Sequence, residues 1–272
     1  MNISFIGGGN MAKAIIGGLK NNGFNMSAIT VIDPDADKCS QLAKEFNVQV
    51  SDSYTKNSNA DAINDVIILA VKPQQMRDVC SQLSQKLHSQ LIISIAAGIK
   101  STDISRWLNN YQAIVRVMPN TPAQIQTGAT ALYAIPSVNQ VQRERATTIL
   151  NAVGLTLWLD NEAKMDAVTA ISGSGPAYVF YLIEALQEAA LALGLTAEES
   201  RMLAVQTFAG ASLLAKQSVD DVKILRAQVT SKGGTTEQGI LALEAANIKN
   251  IIMIAAKAAA DKSRALGDDL AK

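Results

Sequence analysis

Short apolar runs alternate with polar-apolar helical stretches over the first 160 residues, and this feature limits the fold of the chain most. The runs are continuous and rich in β-branched residues, which is typical of strands buried on both faces. Helices between such strands imply right-handed parallel crossovers. The runs are "NISFIG", "AITVID", "DVIILAV", "LIISIAA", "AIVRVMP", "ATALYA" and "LTLWL". We therefore predict a doubly wound α/β sheet over residues 1–160.

The periodicity changes from residue 161 onward, where strand signals stop. The long stretches "AYVFYLIEALQEAALALGL" and "IKNIIMIAAKAAADKSRALG" carry apolar residues around most of the helix circumference. A helix that is apolar on nearly all sides must be buried on nearly all sides. Residues 161–272 are too few to cover such helices alone. We predict an all-α C-terminal domain that packs against a second chain.

Composition excludes several classes of protein. The 24 basic and 24 acidic residues cancel, and no block of one sign occurs, so we expect neither a nucleic-acid nor an anionic-membrane partner. Cys39 and Cys80 lie far apart, and they form neither a disulfide framework nor a zinc-ligand spacing, so we expect no metal site and a reducing compartment. The N-terminal residues carry no basic leader, and no apolar run approaches the length of about 20 residues that a spanning helix needs. We expect a soluble cytoplasmic protein.

The glycine cluster "FIGGGNMAKAIIGGL" ends the first predicted strand and opens a helix. Gly7, Gly9 and Ala12 have the spacing of a Rossmann-type dinucleotide loop, in which the first glycine permits the turn and the second lets the backbone approach a pyrophosphate. The N–H groups at the start of the helix then face the phosphates. The alternative is a tight strand-helix turn that binds nothing.

Three further groups lie at the ends of predicted strands, where ligands of open α/β sheets bind. Asp33 ends the second run and is either an acceptor for the ribose hydroxyls or a turn residue beside Pro34. Lys72, in "AVKPQ", is either a cofactor contact or a solvated charge. Asn120, in "VMPNTPA", has the donor and the acceptor to bind a nicotinamide carboxamide, although the prolines of that loop also simply stop the strand.

The chain resembles the pyrroline-5-carboxylate reductases in five motifs that occur in the same order. They are "FIGGGNMAKAIIGGL", "AVKPQ", "MPNTPA", "DAVTAISGSGPAYVF" and "VTSKGGTTEQGILALE". The resemblance implies reduction of 1-pyrroline-5-carboxylate to L-proline with hydride from NADPH or NADH, the last step of proline biosynthesis. It also implies a homodimer with interleaved C-terminal helices, often assembled into a decamer.

The resemblance also implies the residues of both sites. The implied cofactor contacts are Ile6, Gly7, Gly8, Gly9, Asn10, Met11, Asp33, Asn57, Ala70, Val71, Lys72, Pro73 and the "IAAG" turn around Ala97. The implied substrate loop runs from Ser231 to Thr236. Two residues depart from the family pattern. Lys232 stands where the family commonly has proline, and Asp33 stands where members that prefer NADPH usually carry a small polar residue, so we favour NADH over NADPH.

The stretch "VTSKGGTTEQG" explains how the imino acid would be held. Backbone N–H groups at Gly233, Gly234 and Thr235 would bind its carboxylate at the start of a helix, and the hydroxyls of Ser231 and Thr236 would complete the site. A helix N-cap is the structural alternative, and a capped helix start is also an anion site. We predict that Thr236 contacts the ring nitrogen and is the catalytic residue of the chain.

Other features favour no different activity. His88 lies on a polar-apolar helix and is expected at the surface. The "SGSGPAY" break either approaches the nicotinamide or kinks a helix at Pro176. A β-hydroxyacid dehydrogenase would need a catalytic lysine, but Lys164 precedes the break and has no matching motif. Another imine or hydroxyacid oxidoreductase on the same fold, or a dinucleotide-binding regulatory protein, is the alternative function.

Overall fold

The computed structural model describes residues 1–53 and 65–271. The chain divides into two compact units. The first unit comprises Met1–Ser174 and the residues from Ala259 onward, and the second unit comprises Gly175–Ala258. This division falls later than the predicted junction at 160/161, because the segment after residue 161 packs on the first unit. Glu162, for example, forms an ion pair with Arg116. The last turns of the C-terminal helix also belong to the first unit.

The first unit contains one mixed sheet. Within the described residues its eight strands have the order β3-β2-β1-β4-β5-β6-β7-β8, which is the doubly wound order expected from the sequence. The strands are β1 (Ile3–Ile6), β2 (Ile29–Ile32), β3 (Gln49–Ser51), β4 (Val66–Leu69), β5 (Leu91–Ser94), β6 (Ile114–Met118), β7 (Gly128–Ala134) and β8 (Gly154–Trp158). All seven predicted runs form strands, and the fold class is confirmed.

The expectation of parallel crossovers throughout is wrong for one connection. Strands β1 to β6 pair in parallel, but β7 pairs antiparallel to β6, with Val115 opposite Ala134 and Met118 opposite Ala131. Residues 119–127 are all that joins these two strands, and a parallel crossover needs a dozen or more residues. β8 then pairs in parallel with β7.

The helices of the first unit cover both faces of this sheet. They are α1 (Asn10–Asn21), α2 (Ala36–Phe46), α3 (Met76–Leu83), α4 (Ser101–Trp107), α5 (Gln140–Asn151) and α6 (Met165–Val168). The central strands β1, β4 and β5 are buried along their whole length, and their side chains form one aliphatic core with the inner faces of the helices. This core fixes the ends of the strands, and with them the loops that follow.

The second unit consists of helices α7 (Gly175–Ala192), α8 (Ala197–Gln217), α9 (Val222–Gln228), α10 (Thr235–Ala245) and the first part of α11 (Ile248–Leu270). Helix α8 begins at a capping box in which Thr196 and Glu199 bond each other's backbone N–H groups. Apolar side chains nevertheless lie open on these helices. Phe180 and Tyr181 on α7 are 66% and 71% exposed, and α7, α9 and α10 bury none of their residues.

Among the described residues, no single helix is both long and apolar enough to cross a membrane. The α10 and α11 segments reach the required length and composition only as a pair, and the pair is bent by 51°.

Candidate nucleotide site and substrate loop

The parallel register brings the ends of four strands to one edge of the sheet. Ile6 pairs with Ile32 on one side and with Leu69 on the other, and Leu69 pairs with Ser94. The loops that follow these residues therefore leave the sheet side by side. They are the glycine loop, the segment that begins at Asp33, the "AVKPQ" loop and the "IAAG" turn.

The two spaced glycines of the first loop differ in surroundings. Gly7 has a φ of +100°, and a Cβ built on it would lie 2.6 Å from the carbonyl oxygen of Ala70, so the turn requires glycine there. A Cβ on Gly9 would meet nothing within 4 Å. Gly9 is the N-cap of α1, with no side-chain cap and no acidic residue in the first turn. The start of α1 therefore has no side-chain cap and has open space beside Gly9, which suits an anion site.

A crevice of about 490 Å³ opens beside this loop. Seven of the predicted cofactor residues line it, namely Ile6, Gly7, Gly9, Asp33, Ala70, Val71 and Lys72. Asn10 and Met11 form the first turn of α1, and Pro73 begins a short turn after Lys72. Ala97 is exposed on the turn after β5. Asn57 lies outside the described residues.

The carboxylate of Asp33 points at the glycine loop. Its Oδ2 accepts a hydrogen bond of 2.8 Å from the N–H of Gly8, and its Oδ1 accepts one of 2.9 Å from the N–H of Asp35. Asp33 is only 7% exposed. Asp33 therefore closes a turn beside Pro34 and also lines the crevice, and its contact with a ribose stays a prediction.

Lys38 lines this crevice together with Lys72. Its Nζ lies 3.3 Å from Oδ2 of Asp35 and 3.8 Å from Oδ1 of Asp33. The side-chain bond to Asp35, and then the charge of Asp33, raise the pKa of Lys38. Hydrogen bonds from the backbone N–H and the side chain of Lys38 lower the pKa of Asp35. Nearby, burial raises the pKa of the Cys39 thiol, which donates to the Asp33 carbonyl at 3.3 Å.

A buried polar cluster that the sequence did not indicate holds the start of α4. Glu162 accepts from the Nη1 of Arg116 at 3.0 Å, from the N–H of Ser101 at 2.7 Å and from the hydroxyl of Ser101 at 2.6 Å. The side chains of Arg116 and Glu162 are 6% and 18% exposed. Removal of one partner would leave a charge without compensation in a largely buried place. These residues are far apart in the chain, so no local pattern pointed to the cluster.

The end of α11 supports the "IAAG" turn, a second contact that the sequence did not indicate. Gly98 has a φ of +82°. A Cβ built on Gly267 would lie 2.4 Å from the carbonyl oxygen of Gly98. Lys100 pairs with Asp268 at 2.8 Å on the same side. Only two glycines allow the backbones to approach so closely, so the end of the chain fixes the turn that carries Ala97.

Asn120 lies at the carboxyl end of β6, but its side chain is engaged within the protein. Its Oδ1 accepts from the N–H of Ala129 at 2.8 Å. Its Nδ2 lies 3.2 Å from both the carbonyl oxygen and the hydroxyl of Ser172. The donor and the acceptor that the sequence analysis assigned to a nicotinamide carboxamide thus already have partners.

The predicted substrate loop in the second unit forms a tight turn ahead of α10. Gly233 has a φ of +75°, and Gly234 is the N-cap of α10, with no side-chain cap. Thr235 and Thr236 are therefore the first two residues of the helix, not its cap. Both side chains are exposed. The hydroxyls lie where a ligand at the helix N-terminus can meet them.

The expectation of three free N–H groups in this loop is wrong for two of them. The N–H of Gly233 donates to Oε2 of Glu237 at 2.7 Å, and that of Gly234 donates to the carbonyl of Ser231 at 3.0 Å. Glu237 sits in the first turn of α10, so its side chain reaches back over the turn. The sequence shows this glutamate, but nothing in the pattern indicates which N–H it takes.

Comparison with known proteins identifies the family. A family model described as "Pyrroline-5-carboxylate reductase dimerisation" matches residues 162–266, and one described as "NADP oxidoreductase coenzyme F420-dependent" matches residues 2–98. The pyrroline-5-carboxylate reductase of Pseudomonas aeruginosa is 44% identical over 269 residues, which cover 98% of this chain and 97% of the relative.

Solved structures agree with the sequence relatives. A pyrroline-5-carboxylate reductase from Coxiella burnetii has a TM-score of 0.92 and 41% identity, with 100% of this chain and 98% of that one covered. A pyrroline carboxylate reductase from Plasmodium falciparum, solved with NADP bound, has a TM-score of 0.85 and 32% identity, with 98% of each chain covered. Because these relatives are 32–44% identical along nearly the whole chain, the chain belongs to the pyrroline-5-carboxylate reductase family.

Proposed function

We propose that the chain is a cytoplasmic enzyme that reduces 1-pyrroline-5-carboxylate to L-proline with hydride from NAD(P)H, the last step of proline biosynthesis. The observation that carries this proposal is the glycine loop. Gly7 is required by the turn, whereas Gly9 borders open space at the uncapped start of α1. A loop with a structural role alone would need the first glycine but not the second. The arrangement fits a dinucleotide, and the family relationship supplies the substrate.

The residues that would hold the dinucleotide surround the crevice. The start of α1, with Gly8, Gly9, Asn10 and Met11, would face the pyrophosphate. Asp33 would face the adenosine ribose. The "AVKPQ" loop and the turn that carries Ala97 would follow along the edge of the sheet. Ile6 and Gly7 would form the floor at the end of β1, and Asn57 is proposed from the resemblance alone.

We favour NADH over NADPH. The Asp33 carboxylate is held inward by its bonds to two backbone N–H groups, where it can accept from a 2′-hydroxyl but would repel a 2′-phosphate. Lys38 is the opposing influence, since its ammonium lies 3.8 Å from Asp33 and would attract a phosphate. Its closer partner is Asp35, which partly offsets that charge. Comparison of kcat/KM for the two cofactors tests this choice, and a clear preference for NADPH would contradict it.

The loop from Ser231 to Thr236 would hold the imino acid. Its carboxylate would approach the start of α10, where the N–H of Thr235 and the Ser231 hydroxyl would donate, and the Thr236 hydroxyl would contact the ring nitrogen. The Glu237 carboxylate already occupies the N–H of Gly233, as an anion would. Substrate binding would therefore leave Glu237 in place and use the N–H of Thr235 and the two hydroxyls.

The chemistry requires little from side chains. Protonation of the imine makes its carbon electrophilic, and the nicotinamide supplies the hydride when it is bound. The protein's part is to hold the ring carbon at near-attack distance and to place a hydroxyl at the nitrogen, and this positioning contributes up to about 7–11 kcal/mol. Thr236 fits that role because its hydroxyl both donates and accepts.

Assembly completes the proposal. The chain self-associates through its dimerisation domain, and we propose a homodimer, which the resemblance extends to a decamer. Open apolar side chains on α7 and α8 support it, because exposed patches of this kind mark interaction surfaces. We propose residues 1–160 as the dinucleotide-binding domain and 161–272 as the dimerisation and substrate domain, with no nucleic-acid or membrane partner.

An assay of cofactor oxidation with racemic 1-pyrroline-5-carboxylate tests the function. We expect NADH and NADPH to be oxidised only when the imino acid is present, with one proline formed for each hydride transferred. Amino-acid analysis measures the proline. A folded protein that binds cofactor but forms no proline with either cofactor would favour the regulatory alternative over the enzyme.

A further inference from the structure

A π-helical turn interrupts the helix between α6 and α7. Residues 169–173 form this turn, and the N–H of Ser174 donates to the carbonyl of Thr169, five residues back, at 2.8 Å. Helix α7 begins at the next residue, Gly175. Such turns place an extra residue in the helix and often lie at functional sites. The turn belongs to the "SGSGPAY" break, which the proposed function does not yet explain.

The break lacks one backbone donor. In a continuous α-helix, the carbonyl of Ser172 would accept from the N–H of residue 176. That residue is Pro176, which has no N–H. Proline is tolerated in the first turn of α7, but the carbonyl four residues before it loses its usual partner.

The side chain of Asn120 supplies a donor in place of that N–H. Its Nδ2 lies 3.2 Å from the Ser172 carbonyl oxygen and 3.2 Å from the Ser172 hydroxyl. Its Oδ1 accepts from the N–H of Ala129 at 2.8 Å. One amide therefore connects the π-turn with the loop after β6 and with β7. Asn120 is half-buried at this position.

The same turn packs on the end of β6. A Cβ built on Gly173 would lie 2.5 Å from Cε of Met118, the last residue of that strand. Contacts of the π-turn with Met118 and Asn120 thus fix it at the carboxyl end of the sheet. This is the edge at which the cofactor loops leave β1, β4 and β5.

We propose that Asn120 is a positioning residue, which gives the Ser172 carbonyl the hydrogen bond that Pro176 withholds and so holds the π-turn against the cofactor edge of the sheet. This inference rests on the proposed function, in that the edge is the nicotinamide-binding edge. It gives the Asn120 amide a role within the protein instead of a bond to the carboxamide. Cofactor binding then depends on Asn120 indirectly, because Asn120 sets the position of the π-turn at the edge of the sheet.

A double-mutant cycle tests the inference. Asn120→Asp keeps the shape and the acceptor for Ala129 but replaces the donor that faces Ser172 by a second acceptor. Pro176→Ala restores the missing backbone N–H. The four proteins of the cycle are compared by thermal unfolding without cofactor and by titration with NADH and NADPH without substrate. These readouts do not require turnover, so they remain informative if the chain proves not to be a reductase.

We expect Asn120→Asp to lower the Tm and to weaken cofactor binding about tenfold, and Pro176→Ala to remove most of both effects, since groups in one hydrogen-bond network couple strongly. Asn139→Asp is the matched control, because Asn139 caps α5 and aspartate caps equally well. The control should change neither readout. Asn120→Ser runs the same cycle with a smaller change, should the aspartate variant not fold.

Two outcomes would overturn the inference. If Asn120→Asp weakens cofactor binding equally in both backgrounds and leaves the Tm unchanged, the amide binds the cofactor directly. If the substitution changes neither quantity, the bonds to Ser172 position nothing.

Discussion

The two compact units bury their apolar residues to very different degrees. In the first unit, strands β1, β4 and β5 are buried along their whole length by helices of the same chain. In the second, Phe180, Tyr181 and Leu193 are 66%, 71% and 85% exposed. The side chains are equally apolar, so the difference lies in what covers them. The central strands of the first unit are covered within one chain, although Leu155 and Leu157 on β8 stay exposed, whereas α7 of the second unit buries no residue and belongs to a dimerisation domain.

The largest expected effect comes from a charge on the open surface of the second unit. Phe180→Glu on α7 removes an apolar side chain whose burial against a partner would contribute about 1.5–3 kcal/mol to the free energy of association. In a symmetric dimer the same contact is lost in both chains. The carboxylate would also be desolvated without a partner. We expect the assembly to dissociate, which light scattering would measure. Val141→Glu, at an exposed valine on α5 of the first unit, is the control and should leave the mass unchanged.

The first unit should respond differently at its two loop glycines. Gly7→Ala forces a side chain into a left-handed conformation and against the Ala70 carbonyl, so we expect the free energy of unfolding to fall by about 1–3 kcal/mol or more. The methyl group added in Gly9→Ala would meet no protein atom within 4 Å, so we expect the Tm of this variant to stay unchanged. Its affinity for the cofactor should fall. Thermal unfolding and cofactor titration separate the two. Equal stability losses would show that the loop is a structural turn only.

A smaller effect is expected at the substrate loop. Thr236→Val keeps the shape and removes the hydroxyl, so transition-state stabilisation should fall by about 1–3 kcal/mol. Steady-state kinetics would show this as a lower kcat/KM for the imino acid with cofactor affinity nearly unchanged. Thr148→Val, on the exposed face of α5, controls for the loss of a helical hydroxyl. Unchanged kcat/KM in Thr236→Val would mean that the substrate is held elsewhere.

The smallest effect is expected at Lys232, which is exposed in the same loop. Lys232→Pro should shift the KM for the imino acid and leave the KM for the cofactor in place, because it stiffens the loop and removes a cation. Lys232→Gln removes the charge alone. If the charge acts on the carboxylate, the KM of the natural protein should depend on salt and that of Lys232→Gln should not. If the KM for the imino acid depends equally on salt in both proteins, the Lys232 ammonium is solvated and does not act on the substrate.

The sequence predicts the elements of the sheet better than their directions. All seven apolar runs form strands, because a run buried on both faces has a strong local signal. Strand β3 was missed, since the three residues Gln49–Ser51 lie at the sheet edge and are largely exposed. The direction of β7 was also missed, although the short connection 119–127 indicates an antiparallel pair.

The candidate sites show the same limit. Gly7, Gly9 and Asp33 line one crevice, as the sequence predicts, because a loop motif has fixed spacing. Contacts between distant residues carry no such pattern. The bonds of Glu162 to Arg116 and Ser101, and the contact of Gly98 with Gly267, appear only once the chain is folded.

The mass of the natural protein in solution tests the contrast between the two units most directly. One chain has a mass of 28.8 kDa. Light scattering across a dilution series, with circular dichroism on the same samples, should give at least twice this mass wherever the helical signal is complete. A stable species of 28.8 kDa with full helical content would contradict the account, because the second unit would then be complete within one chain.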